Sequence, residues 1–375
     1  MITRYLDVLE YDIKYIAVAA LFVFIYHKFD KYNSKIQFID ILAILFLVCI
    51  TGYRCNVGSD FYSYYRIYDF YSEYGLLAFK VAEEKLFYIM CYFISQISDN
   101  PFALFWAVAI ILYPVLIILS RKITMRPSLV MGAYIFLGFF GMSHNILRQI
   151  IAMQFIILCY YGWHGKKRIL SVLCGMIAIG FHTSAIVAIA LIVIAEFIKP
   201  TFKSLLISVG TGGFILLFWK YIVLYILGNI PILNRYTGYV ERSETLGDIV
   251  LRIGVWGYII VFTILATVFV AKRNEIKEIS HTAYKQITLI ILGIPLSMVA
   301  VKIWVVNRIA VYLYQFAIFI IPILWNIKYK HNSKAVVRVS LVLLLVAWLG
   351  FINIFGCENR YYSYSFQWNE TPASY

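Results

Sequence analysis

Apolar residues run through this chain in long blocks rather than in amphipathic stripes. The blocks lie near residues 14–29, 36–53, 101–120, 128–143, 146–162, 204–228, 251–271, 285–305, 308–325 and 335–355. A helix crosses a bilayer with roughly 17–25 such residues, and with fewer where protein surrounds it. Most of the blocks therefore predict membrane-spanning helices. Two regions read differently. Residues 84–97 are apolar but carry Glu84 and Gln96, with Glu83 just before them, and these are poor spanning residues. Residues 169–198 are apolar but broken by the sequence GFHTS at 180–184.

Orientation follows from Lys and Arg in the short connections, which concentrate on the cytoplasmic side. The clusters are HKFDKYNSK (27–35), RKITMR (121–126), GKKR (165–168), KPTFK (199–203), AKRNEIK (271–277) and KYKHNSK (328–334). Placing all of them inside requires 169–198 to be two short helices joined outside at HTS. It also requires that 84–97 not cross fully, but lie along the outer face or re-enter. A full crossing there would put one basic cluster outside. The expectation is an all-α polytopic protein of roughly twelve spans, within a range of about 11–14, with both termini outside. It forms one transmembrane domain over 1–375, with outer loops at 54–83 and 229–250 and an outer tail at 356–375. No internal repeat of the transporter kind is visible.

Composition agrees: 62% of residues are hydrophobic and 14% charged, with mean hydropathy +0.81. Soluble domains are nearer a quarter charged. The net charge of +14 does not indicate nucleic acid, because the basic residues sit in the short inside loops. The first residues, MITRYLDVLEYDIK, hold Asp7, Glu10 and Asp12 and lack the basic start of a secretory signal, so the first apolar block reads as a retained helix. No cysteines form a C-x-x-C pair. Cys55 and Cys357 both fall outside in this arrangement, but their spacing argues for membrane packing rather than a bridge.

The unusual polar residues collect at the outer junctions. TGYRCNVGSDFYSYY (51–65) holds Arg54, Asp60 and Tyr64. SHNILRQ (143–149) holds His144, Arg148 and Gln149, with His144 and Arg148 at helical i, i+4 spacing. GFHTS holds His182. Arg235, Arg242 and Arg252 follow, and VKIWVVNRIAVY (301–312) holds Lys302, Asn307 and Arg308. Arg121, Arg126, Lys166 and Arg338 read as ordinary inside-loop residues. The outer arginines run against the positive-inside trend, and guanidinium groups match phosphate oxygens bidentately. An anionic ligand such as a diphosphate is the expected partner. His182 either satisfies the chain reversal between half-helices, with Thr183 or Ser184 as cap, or acts as a general base; His144 competes for the latter role. The chain has 31 tyrosines, many in outer loops. They serve an interfacial aromatic belt or sugar stacking.

In this order, YRCNVGSDFYSYY, the Glu83–Glu84 pair, NILRQIIAMQF, GFHTSAI and NRIAVYL resemble the EpsG family of Wzy-type polysaccharide polymerases. The resemblance covers about 40–365, and Cys55 stands where the family often has a smaller residue. It implies a GT-C-like architecture with a periplasmic-face cavity in the bacterial inner membrane. It further implies glycosyl transfer there, with a growing glycan on undecaprenyl diphosphate as donor and one lipid-linked repeat unit as acceptor. Partners implied are that lipid-linked oligosaccharide, the bilayer, a Wzz-type chain-length regulator and a Wzx-type flippase, with no nucleic acid, cofactor or metal. On this reading His182, Arg148 and Arg308 are catalytic. Arg54, Asp60, Tyr64, His144, Gln149, Arg235, Arg242 and Arg252 bind substrate. The alternatives are a flippase or exporter of the same lipid-linked oligosaccharide, or an O-antigen ligase-type transferase. The product class (O-antigen, capsule or exopolysaccharide) stays open.

Overall fold

The computed structural model describes residues 2–80, 82–124, 126–229, 246–327, 333–355 and 365–366. Arg235, Arg242 and Cys357 lie outside them, and Arg252 is placed on a helix without a described side chain. The chain forms two units, Met1–Ile186 with Glu358–Tyr375, and Val187–Cys357.

In the first unit, α1 (Ile2–Phe29) and α2 (Phe38–Gly52) lead to β1 (Arg54–Cys55). Then come α3 (Phe61–Tyr74), α4 (Lys85–Ser95) and α5 (Phe102–Thr124). The apolar blocks expected at 128–143 and 146–162 become three helices, α6 (Pro127–Phe136), α7 (Phe139–Asn145) and α8 (Leu147–His164). The extra break has a local cause: Gly138 takes φ of 89°, a left-handed conformation that an α-helix cannot continue through. Next are α9 (Arg168–Phe181) and α10 (Ala185–Glu196), the two short helices predicted around HTS, with α10 belonging to the second unit from Val187 onward. A second two-residue strand, β2 (Ser365–Phe366), pairs antiparallel with β1. At 11 residues, α4 is about 16 Å long, about half of the hydrocarbon core of about 30 Å, and so too short to span it as a single helix.

One end of this unit is closed by a buried ion cluster. Arg121 reaches Asp40 at 2.5 Å and Asp30 at 2.8 Å, and all three side chains are fully buried. Tyr26 donates to Asp40 at 2.7 Å, and Ser128 donates through both its hydroxyl and its backbone N–H to Asp30. Arg121, expected to be an ordinary inside-loop residue, is instead the buried centre of this cluster. A carboxylate from the α1–α2 turn, a second from the first turn of α2 and a guanidinium from the end of α5 saturate one another where water is excluded. The cluster ties segments 27–35 and 121–126 to one end. Helix α8 runs from Arg148 toward that end and turns into α9 through 165–167. There Gly162 lies so close to Ser171, whose backbone N would be 3.3 Å from an added Cβ, that the two helices pack backbone to backbone. All three basic clusters of this unit thus lie opposite the end that carries Arg54, Arg148 and His182.

The second unit contains α11 (Phe202–Asn229, kinked at Phe218), α12 (Leu246–Ala271), α13 (Arg273–Ile279) and α14 (His281–Ala300). It ends with α15 (Asn307–Tyr314), α16 (Ala317–Asn326) and α17 (Ser333–Phe355). Helix α14 is its centre, packing on α11, α12, α15 and α16. Gly293 admits the Tyr314 ring, which stacks on Phe262 at 3.8 Å. Ser280 caps α14, accepting from the Ala283 N–H at 3.1 Å. Lys285, one turn on, donates to the Glu196 carbonyl. This puts 199–203 and 271–277 at the same end of this unit.

Among the described residues, six helical stretches are long and apolar enough to cross a membrane: 102–124, 202–219, 253–271, 281–300, 307–326 and 334–353. Helices α2, α4, α6, α9 and α10 are apolar but shorter. The protein is an all-α polytopic membrane protein.

Candidate functional site

The loop that carries Arg54, Gly58 and Asp60 is built on the end of α7. Gly58 has φ of 95°, and a methyl there would collide with Asn145 Oδ1. Only glycine suits both the conformation and the contact. Asn145 Oδ1 lies 3.4 Å from the Asp60 backbone N–H and from Ser59 Oγ. Arg54 is fully buried beneath this loop. It donates to the carbonyls of Thr51 (2.8 Å) and His144 (3.4 Å) and lies 4.3 Å from the Phe105 ring centre. His144 is also fully buried, its Nε2 3.3 Å from Thr51 Oγ1, which pairs with Tyr113 and through it with Ser143. Arg54 and His144 therefore brace the loop rather than face solvent, and Gln149 is buried as well.

Held in this way, the loop launches α3 after Asp60, and the inner face of α3 buries Phe61, Tyr64 and Tyr68. Tyr64 packs edge-on against Phe87 at 5.9 Å, and its hydroxyl interacts with the Arg148 guanidinium. Burial, offset in part by the Arg148 charge, keeps the Tyr64 phenol above its ordinary value, so it stays neutral.

Arg148 is in the first turn of α8. The expectation that it shares a helix face with His144 fails, because the helix breaks at Ile146 (φ −98°, ψ 57°). The break sends His144 into the packing and Arg148 outward. Arg148 Nη1 is ion-paired with Glu84 Oε2, in a close contact, and lies 3.7 Å from Glu83. Glu84 is the N-cap of α4 and is 7% exposed. Its other oxygen, Oε1, lies 2.8 Å from His182 Nδ1. His182 ends α9 in an extended conformation, and its backbone N–H still closes the last turn onto Ala178. The reversal itself is satisfied by backbone bonds from Ala185 to His182 and from Ile186 to Thr183. The imidazole is thus not needed as a cap.

Tyr64, Arg148, Glu84 and His182 form one connected set, drawn from α3, α8, α4 and the α9–α10 turn. Burial by itself would push the Glu84 carboxyl up. The hydrogen bond from His182, followed by the Arg148 charge, outweighs burial and holds it below the usual glutamate value. An ionised carboxylate only accepts, so the proton of a neutral imidazole sits on Nδ1 and the lone pair on Nε2. His182 and Arg148 keep 19% and 29% side-chain exposure, while Glu84 keeps 6%. The arrangement is a partly open imidazole and guanidinium on a closed carboxylate.

Glu84 is the residue that sequence reasoning missed as a site member. Its signal was present: a carboxylate opening an apolar segment, whose neighbouring cation Lys85 is taken up by the Phe79 carbonyl. Arg308 opens α15 in the second unit and is partly exposed. Beside it, Asn307 accepts from Ser297 at 2.9 Å, and Lys302 lies 5.8 Å from the Trp219 ring centre.

Fold and site together define a polytopic membrane protein whose first unit carries a histidine–carboxylate–arginine cluster at the end opposite that unit's basic segments. The EpsG family model matches residues 37–366. The chain belongs to that family, one of Wzy-like polysaccharide polymerase-type membrane proteins. No curated protein matches it, and no solved structure does.

Proposed function

We propose that this protein polymerises lipid-linked oligosaccharide repeat units by glycosyl transfer at the outer face of the bacterial inner membrane. A hydroxyl of the acceptor's terminal sugar attacks the anomeric carbon of the donor glycan. The new C–O bond forms as the bond to undecaprenyl diphosphate breaks, and the hydroxyl proton passes to His182 Nε2. Glu84 holds His182 in the tautomer that leaves Nε2 open and balances the charge that develops on the ring. Arg148 meets the departing diphosphate, where a preorganised cation acts without reorganisation, and Arg308 of the second unit is the further catalytic residue of this reading. Asp60 contacts sugar, and Arg235, Arg242 and Arg252 bind substrate. In this reading the roughly twelve crossings, the outward-facing site and a GT-C-like arrangement belong together.

The observation that carries the proposal is the single carboxylate shared by His182 and Arg148, opposite the basic segments of the same unit. The test uses purified protein and a synthetic lipid-linked repeat unit, with product resolved on gels. The wild-type chain gives a polymer ladder. His182→Ala lowers the rate by about 10²–10⁴, the usual contribution of a positioned base. Arg148→Ala abolishes the ladder at unchanged protein abundance. A ladder of wild-type length from Arg148→Ala overturns the assignment.

A further inference from the structure

Helix α3 has a second face that the reaction site does not use. Residues 62, 65, 66 and 69 recur at i, i+3, i+4 and i+7, so they form one stripe beside the buried face of Phe61, Tyr64 and Tyr68. Tyr62 and Tyr65 are partly exposed, and Arg66 and Asp69 are exposed. The two tyrosine rings are near parallel, at 6°, with centres 6.4 Å apart. Arg66 lies 5.8 Å from the Tyr62 ring centre, and Tyr65 is fixed edge-on by Phe102 at 5.8 Å. Burial, then the nearby Asp69 carboxylate, raises the Tyr65 phenol, so it remains a neutral donor.

None of these four side chains makes a hydrogen bond or ion pair to another described residue. Arg66 and Asp69 are close enough in sequence to pair and do not. By contrast Arg148, Glu84 and His182 are all engaged. Two parallel aromatic faces, flanked by an uncommitted fork of donors and an uncommitted carboxylate, suit one class of ligand. Pyranose rings present an apolar CH face for stacking and a rim of hydroxyls that both donate and accept. A lipid headgroup layer would favour the rings and Arg66 but not the exposed Asp69 and Glu73.

We propose that this stripe of α3 is a binding platform for successive sugars of a glycan, separate from the reaction site. It rests on the transferase reading only for the identity of that glycan as the growing product. Tyr64, on the same helix, interacts with Arg148, so one helix width of about 10–12 Å separates platform and site. A chain of a few sugars spans that distance.

The test measures binding without turnover. Full-length protein in nanodiscs is mixed with maltohexaose, cellohexaose, chitohexaose, or oligosaccharides cut from the producing cell's surface polysaccharide. Binding is read by saturation-transfer NMR. Wild type is expected to bind at least one of them. A chain carrying both Tyr62→Ala and Tyr65→Ala should bind it about fivefold or more weakly, the scale of a lost aromatic stack. Tyr62→Phe with Tyr65→Phe should keep most of the binding. In the polymerisation assay the double alanine variant should make shorter chains with an unchanged first addition. Equal binding by wild type and the double alanine variant overturns the proposal. So does a double variant altered only in association with anionic vesicles, and so does a wild type that binds none of the probes. An inactive protein that still binds through Tyr62 and Tyr65 upholds the platform while removing the transferase reading.

Discussion

Glu84 does more at its position than either of its partners could do alone. Its two oxygens are divided between His182 and Arg148, so removing it frees both. Because its folded carboxyl lies below the ordinary value of 4.5, it adds stability that is fully present above that value. This stability is lost as pH falls through the folded value. Glu84→Gln should therefore lower thermal stability at pH 7 by about 1–3 kcal/mol, toward the low end because Arg148 is still partly exposed. The gap to wild type should close on acidification below the ordinary glutamate range. Melting curves of both proteins in detergent at neutral and acid pH check this; a gap that widens in acid contradicts the ion-pair account. Turnover should fall with Glu84→Gln even where the protein is folded, and Glu84→Asp should restore part of it.

At the scale of elements, the site depends on how the first outer loop docks. Arg54, His144 and Asn145 are buried in the packing around Gly58. They fix where α3 begins and hence where Tyr64 meets Arg148. Gly58→Ala should cost about 1–3 kcal/mol, since it combines a left-handed backbone with a collision at Asn145. It should also depress transfer through displacement of α3. Pairing it with Asn145→Ala should recover part of the stability, because the collision is then gone while the strain stays. Double-mutant melting curves separate the two contributions, and full additivity would contradict direct contact.

At the scale of the molecule, the first unit keeps its basic segments at one end and its polar cluster at the other. The buried Arg121–Asp30–Asp40 cluster helps to fix that arrangement, and removing one partner of such a cluster costs about 3–5 kcal/mol. Orientation follows as a testable outcome. In a cysteine-free chain, Ser59→Cys and Thr183→Cys should react with a membrane-impermeant maleimide in cells whose outer layers are permeable. Asn33→Cys and Lys166→Cys should react only after lysis. The reverse pattern would put the cluster on the cytoplasmic side.

The sequence by itself determined the all-α membrane class, the break at HTS, the short α4 and the family. These depend on hydrophobic length, charge bias and local motifs, which act over neighbouring residues. It also picked out Arg148 and His182, since charged or titratable groups beside apolar helices are costly unless used. Only the tertiary structure decided which polar residues meet. The outer arginines look alike along the chain, yet Arg54 is buried against backbone carbonyls while Arg148 stays partly open on Glu84. The i, i+4 pairing of His144 with Arg148 was lost to a helix break at Ile146. The partner of His182 came from Glu84, 98 residues away. Local pattern sets where a charge is expensive, but long-range packing chooses the group that compensates it.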